Sequence, residues 1–118
     1  MRRVIIESPY AGDVEKNLRY LRAAMADSLS RGEAPFASHG LYTQPGVLDD
    51  TNPAERVLGI EAGFAWREVA NATIVYADLG ISPGMQSGID AAFGAMKRGE
   101  ANCHPIEVRY LRGDWSQG

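Results

Sequence analysis

The chain has 118 residues, enough for one domain, taken here as 1–118, with a single core. Its hydrophobic share of 45% is that of an ordinary globular protein, and a net charge of −3, with no basic cluster beyond Met1-Arg2-Arg3, argues against nucleic acid as the main partner. The single cysteine, Cys103, excludes an internal disulfide, no cysteine–histidine spacing matches a zinc site, and no apolar run approaches the roughly 18 residues of a membrane span.

With no signal peptide visible either, the expectation is a soluble cytoplasmic protein without metal or cofactor. Arg3 to Glu7 (RVIIE) reads as a first strand, broken by Pro9 and Gly12 in the loop SPYAGD, where Asp13 can cap the next helix. From Val14 to Arg31 the apolar residues Val14, Leu18, Leu21, Met25 and Leu29 form one helical stripe, and Gly32 closes the helix.

Ala34 to Ser38 reads as a second short strand. His39 to Asp50 has no clear period and reads as a long loop whose chemically interesting members are His39, Tyr42, Asp49 and Asp50; polar surface and helix capping are the plain readings of these side chains. Asn52-Pro53-Ala54-Glu55 is a helix start with an N-cap, proline at the first position and a capping-box Glu. That helix should run to about Val69 or Ala70, with Gly59 and Gly63 on one face permitting close approach of another backbone.

Thr73 to Met96 organises the rest. Ile74 to Ala77 is a short apolar run suited to an interior parallel strand, and Asp78 stands at its carboxyl end. Leu79, Gly80 and Ile81 make a turn, Ser82 an N-cap, and Pro83 the first helical residue. The N–H groups of Gly84, Met85 and Gln86 are expected to point into the crevice above the strand, where a helix N-terminus favours anions and polar ligand groups. Met85, Ile89, Ala92, Phe93 and Met96 form the expected core stripe, beside a second stripe of small residues, Gly84, Gly88, Ala91 and Ala95. Pro105 to Leu111 reads as a last strand, followed by a tail from Gly113 to Gly118 that is expected to fray.

Strands alternating with helices imply a mainly parallel sheet of four or five strands in a three-layer α/β sandwich. The simplest arrangement is the flavodoxin-like order 2-1-3-4, which reverses between the first and third strands; ligands bind beyond the carboxyl ends at such a point. The loops Ser8–Asp13 and Asp78–Gly84 would meet there.

With both loops placed, SPYAGD, DDTNPAERVLGIEAGFAW and YADLGISPGMQSGIDAA resemble the nucleoside 2-deoxyribosyltransferase-like superfamily, most closely a branch of small phage and bacterial proteins of mostly unassigned function. The likeness runs from Val4 to Tyr110. It implies a flavodoxin-like fold, cleavage or transfer of the N-glycosidic bond of a nucleoside or nucleotide, and a homodimer or higher homo-oligomer in which a neighbouring subunit often completes the site. The family's catalytic motif, S-x-G-x-x-x-E, matches at Ser82 and Gly84, but its Glu position holds Gly88, which carries no nucleophile. Asp90, the nearest carboxylate, is rotated by about 200° around the helix. Asp78 matches a carboxylate that tends to hold sugar hydroxyls.

Three readings follow. An enzyme would need a relocated carboxylate, with Asp78, Asp90 and Glu61 as candidates. A binding protein would sequester or sense a nucleotide-derived ligand through Pro9, Tyr10, Asp78, Ser82, Gly84, Gln86 and Gly88, with Tyr10 against the base and Ser82 on a phosphate or another oxygen-rich group. An oligomeric interaction protein would use its small-residue helix faces only as subunit contacts.

Overall fold

The computed structural model describes residues 1–101, 103–111 and 113–115. Strands β1 (Arg2–Glu7), β2 (Glu33–Phe36), β3 (Ala72–Tyr76) and β4 (Ile106–Arg109) form one sheet in the order β2-β1-β3-β4, and every neighbouring pair is parallel. This is the flavodoxin-like order, with β1 and β3 interior and the reversal between them. Helices α1 (Val14–Ser30), α2 (Ser38–Leu41), α3 (Pro53–Trp66) and α4 (Pro83–Lys97) connect the strands, and a 3-10 turn over Arg67–Val69 follows α3.

Strand alternation divides the sheet into two faces. Val4, Ile6, Ala72, Ile74 and Tyr76 form the main core with Tyr20, Leu21 and Ala24 of α1. Ile5, Glu7, Thr73 and Val75 have the opposite parity and lie beneath α4 and the 3-10 turn, where Gly88 abuts Glu7 and Arg67 reaches Thr73. The α1 face carries most of the large buried side chains. The other face is thinly covered, and it holds charge.

The inward line of α1 is Asn17, Tyr20, Leu21, Ala24 and Ser28, so only Leu21 of the expected stripe is fully buried and Leu29 is exposed. Two of the inward residues, Asn17 and Ser28, are polar because they have hydrogen-bond partners there. The Asn17 amide donates to the Tyr10 and Ala11 carbonyls, and Ser28 Oγ donates to Glu33. On α4 the inward line is Met85, Gly88 and Ala92, while Phe93 and Met96 are exposed. Gly88 and Ala92 let α4 lie close to the sheet, and bulky Phe93 and Met96 face outward.

Boundaries moved where pairing or capping decided them. Glu33 joins β2 because it pairs with Arg2, and β2 ends at Phe36 rather than Ser38. The expected loop begins instead with α2, closed by the Tyr42 N–H donating to the Ser38 carbonyl. The α-helix of α3 stops at Trp66. Its N-cap Asn52 accepts from Ala54 and Glu55, but Glu55 closes no capping box, because its carboxylate accepts the Asp49 N–H at 3.3 Å. Gly63 is required by the close passage of Ser38, whose Cβ would lie 2.9 Å from a β-carbon at Gly63, so this glycine face is filled from within the chain. In the tail, Trp115 packs edge-on against Tyr20 with ring centroids 4.8 Å apart; Ser116, Gln117 and Gly118 lie outside the described residues.

Candidate functional site

The first loop leaves β1 at Glu7 and runs through buried Ser8 and Pro9 to half-buried Tyr10. Asn17 fixes the loop by holding the Tyr10 and Ala11 carbonyls. Facing it is the irregular segment after α2. Together they enclose an open cavity of about 700 Å³ lined by Tyr10, Gly12, Val47, Asp49, Asp50 and Glu55, among others. That volume lies within the range of about 300–1,000 Å³ usual for small-ligand pockets. Asp49 is tied to the Thr51 N–H and hydroxyl, which hold its carboxyl below the usual range. The three carboxylates give this cavity an acidic rim.

The third loop is more fully occupied by its own structure than the sequence suggests. Gly80 takes φ +83° in the turn after β3, a conformation that favours glycine. Ser82 caps α4 through its Oγ, which accepts the Met85 N–H, and through its carbonyl, which accepts the Gln86 N–H. Two of the three donors expected to face a ligand are therefore engaged in the cap. The Asp78 carboxylate accepts from the Tyr20 hydroxyl and from the Leu111 N–H at 3.0 Å, so it braces β3 against α1 and the chain beyond β4. The Gln86 amide donates to Asp90 at 2.8 Å on the exposed side of α4, one turn apart and away from buried Gly88. Glu61 is exposed on α3.

Of the residues singled out from the sequence, Pro9 and Tyr10 share one loop, and Gly84 and Gly88 share α4, which Ser82 caps. Asp78 engages the α1 side, and Asp90, Gln86 and Glu61 lie on outer surfaces.

A carboxylate does stand at Gly88, and it comes from β1. A β-carbon built on Gly88 would lie 2.6 Å from both Glu7 Cδ and Glu7 Oε1. Among the described residues, the Glu7 carboxylate has one ion pair, to Arg67 Nη2 at 3.9 Å, and accepts no hydrogen bond. Both side chains are mostly buried. Desolvation pushes the Glu7 carboxyl up to about 7, and the Arg67 charge only partly offsets it. Burial likewise lowers Arg67, against the opposing pull of Glu7, and Arg67 Nε is buried without a partner. Beside Glu7 in sequence, Ser8 Oγ lies 2.7 Å from His39 Nε2, and burial pulls this imidazole down to about 4, so it is neutral at pH 7.

Glu7 and Arg67 were not singled out from the sequence. The available signal was a charged residue directly after the apolar run Val4-Ile5-Ile6 of an interior strand, on the same side as Ile5. Arg67 had none, because the Glu7 carboxylate it faces is far away in the sequence and meets it only in the folded chain. Among the described residues no group of three or more His, Cys, Asp or Glu is arranged to hold a metal ion, and no helix is long and apolar enough to cross a membrane.

A parallel sheet in this order, with polar groups gathered beyond and beneath its carboxyl edge, defines a flavodoxin-like α/β protein. More particularly, residues 2–101 match the family described as a domain of unknown function (DUF7768), and the chain belongs to that family. No curated protein and no solved structure matches it.

Proposed function

We propose that this chain is a cytoplasmic protein that takes a nucleoside-type ligand at the carboxyl edge of its sheet and acts on the N-glycosidic bond. The observation that carries the reading is the 700 Å³ cavity against Tyr10, at the loop where the first resembling motif, SPYAGD, lies. Tyr10 offers a ring to a base, and Asp49, Asp50 and Glu55 offer acceptors to sugar hydroxyls. An acidic rim opposes a phosphate, and the α4 cap leaves few free donors to hold one, so the geometry favours a nucleoside over its monophosphate.

A non-catalytic binder is the second reading. It is favoured by the glycine at position 88 and by the engagement of Asp78 in the Tyr20–Leu111 brace. A homo-oligomer belongs to either reading, supported by the exposure of Val57, Leu58, Ile60 and Trp66 on α3.

Calorimetric titration against nucleosides, deoxynucleosides and their monophosphates, with a parallel assay for released base, tests the proposal. Binding of nucleosides that weakens in Tyr10→Ala supports the site. Binding of none of these ligands refutes it, and binding without base release selects the second reading.

A further inference from the structure

Resting on the nucleoside-type reading above, we propose that Glu7 is the catalytic carboxylate of the site, delivered by the end of β1 instead of by α4. Four observations converge on this side chain. It lies at the carboxyl end of an interior strand, where the open α/β sheet places ligands. It continues directly into Ser8, Pro9 and the cavity-lining Tyr10. Its carboxylate fills the space beneath α4 that a side chain at position 88 would otherwise claim, so Gly88 is a clearance for it. Its oxygens accept no hydrogen bond within the chain and keep access to solvent, the side chain being 14% exposed, so they are open to a ligand.

The carboxylates singled out from the sequence for this role do not compete for it. Asp78 is held by Tyr20 and Leu111, Asp90 by Gln86, and Glu61 is exposed.

The charged and titratable groups around Glu7 are few. The 3-10 turn presents Arg67, which also donates to Thr73 Oγ1, itself 2.7 Å from His104 Nε2. From α2, His39 holds the neighbouring Ser8. The facing turn of α4 presents uncharged Gly88 and Ala92. One cation at 3.9 Å is enough to keep part of the carboxylate ionised, and it leaves the oxygens free to react.

The chemistry is a double displacement. Ionised Glu7 attacks the anomeric carbon, a new C–O bond forms, and the C–N bond breaks with its electron pair leaving on the base. The base takes a proton from water. In the second step water attacks the same carbon, the glycosyl ester bond breaks back to the Glu7 carboxylate, and the water proton passes to solvent. The net reaction is nucleoside plus water giving sugar plus base. In the ester Glu7 is uncharged, a state its buried setting favours.

The test compares wild type with Glu7→Gln, using nucleosides and deoxynucleosides as probes. Glutamine keeps the shape and removes a buried charge, so folding is retained, and thermal unfolding verifies it. The expected result is unchanged nucleoside binding with base release lowered by at least about 100-fold. Wild-type release should rise with pH up to about 7 and then level off, following ionisation of Glu7. Acid-quenched turnover should leave one glycosyl mass on the peptide containing Glu7, absent in Glu7→Gln. Base release by Glu7→Gln at the wild-type rate overturns the assignment, as does wild type that binds nucleosides without releasing base. Wild type that binds no nucleoside overturns the reading on which the assignment rests.

Discussion

The Glu7 carboxylate and the α-carbon of Gly88 share one small space: a β-carbon at position 88 would come within 2.6 Å of Glu7 Cδ. Strand and helix have been fitted so that only one of the two positions carries a side chain there. Gly88→Ala should therefore destabilise the fold by about 1–3 kcal/mol from overpacking, less up to about 1 kcal/mol of regained helix propensity. Gly88→Glu should be worse, since it adds a second carboxylate. The double variant Glu7→Ala/Gly88→Glu should recover about 1–3 kcal/mol relative to Gly88→Glu alone. Urea midpoints of wild type, Glu7→Ala, Gly88→Glu and the double variant measure this coupling, and simple additivity would contradict the shared space.

The pH dependence of stability follows from two buried groups with opposite signs. Glu7 is raised from 4.5 to about 7, so the native state holds a proton that the unfolded chain has lost, and stability falls between about pH 4.5 and 7. His39 is lowered from 6.5 to about 4, so the unfolded chain holds the extra proton, and stability rises with pH between about 4 and 6.5. The two slopes nearly cancel from pH 4.5 to 6.5. Glu7→Gln removes one of them. It should be more stable than wild type by about 3 kcal/mol at pH 8, with little difference at pH 4.5. Denaturation midpoints across that range give the answer, and a difference independent of pH would reject this account.

On the α1 face, Arg109 makes a two-pronged pair with Glu33 at 2.6 and 2.7 Å, and Arg2 and Ser28 also donate to Glu33. Arg109 is the largest cause holding the Glu33 carboxyl down at about 2, from 4.5. The stability from this shift is present above about pH 4.5 and is lost as pH falls through 2, about 3 kcal/mol in all. Arg109→Met leaves a buried carboxylate short of its main partner and should cost about 3–5 kcal/mol at pH 7. Its acid-side loss between pH 4.5 and 2 should be shallower than in wild type. Thermal unfolding at pH 2.5, 4.5 and 7 tests both statements.

Asp78 was singled out as a sugar-holding carboxylate, and its bonds point to a brace. Asp78→Ala leaves the Tyr20 hydroxyl and the Leu111 N–H without their acceptor, so a loss of about 1–3 kcal/mol in stability is expected. A melting temperature equal to wild type, together with lost nucleoside binding, would return Asp78 to the ligand.

The apolar surface of α3 predicts self-association. Leu58 and Val57 are more than half exposed, at 55% and 54%, although they sit in a regular helix. Leu58→Glu should shift the light-scattering mass toward a monomer at micromolar concentration. A wild-type monomer under the same conditions would remove the case for an oligomer.

The order of the four strands and of the three long helices was legible because buried parallel strands are short apolar runs and helices show a 3.6-residue stripe, while the short α2 was read as strand end and loop. Ser82-Pro83 and Asn52-Pro53 marked two helix starts because capping is a local property of two to four residues. What faces inward was less legible. Hydropathy marked Leu29, Phe93 and Met96 as core, but burial depends on which neighbour lies opposite: Asn17 and Ser28 face inward to the Tyr10 and Ala11 carbonyls and to Glu33, and Gly88 faces inward to Glu7. The same physics hid the candidate site. Glu7 and Gly88 are 81 positions apart in the sequence, so the vacancy on α4 was visible while the carboxylate filling it was not. The local chain determined strands, caps and turns, whose energies come from near neighbours. Only the packing of β1 beneath α4 decided which carboxylate occupies that space, and whether it is charged there, because desolvation is set by everything that surrounds a group in three dimensions.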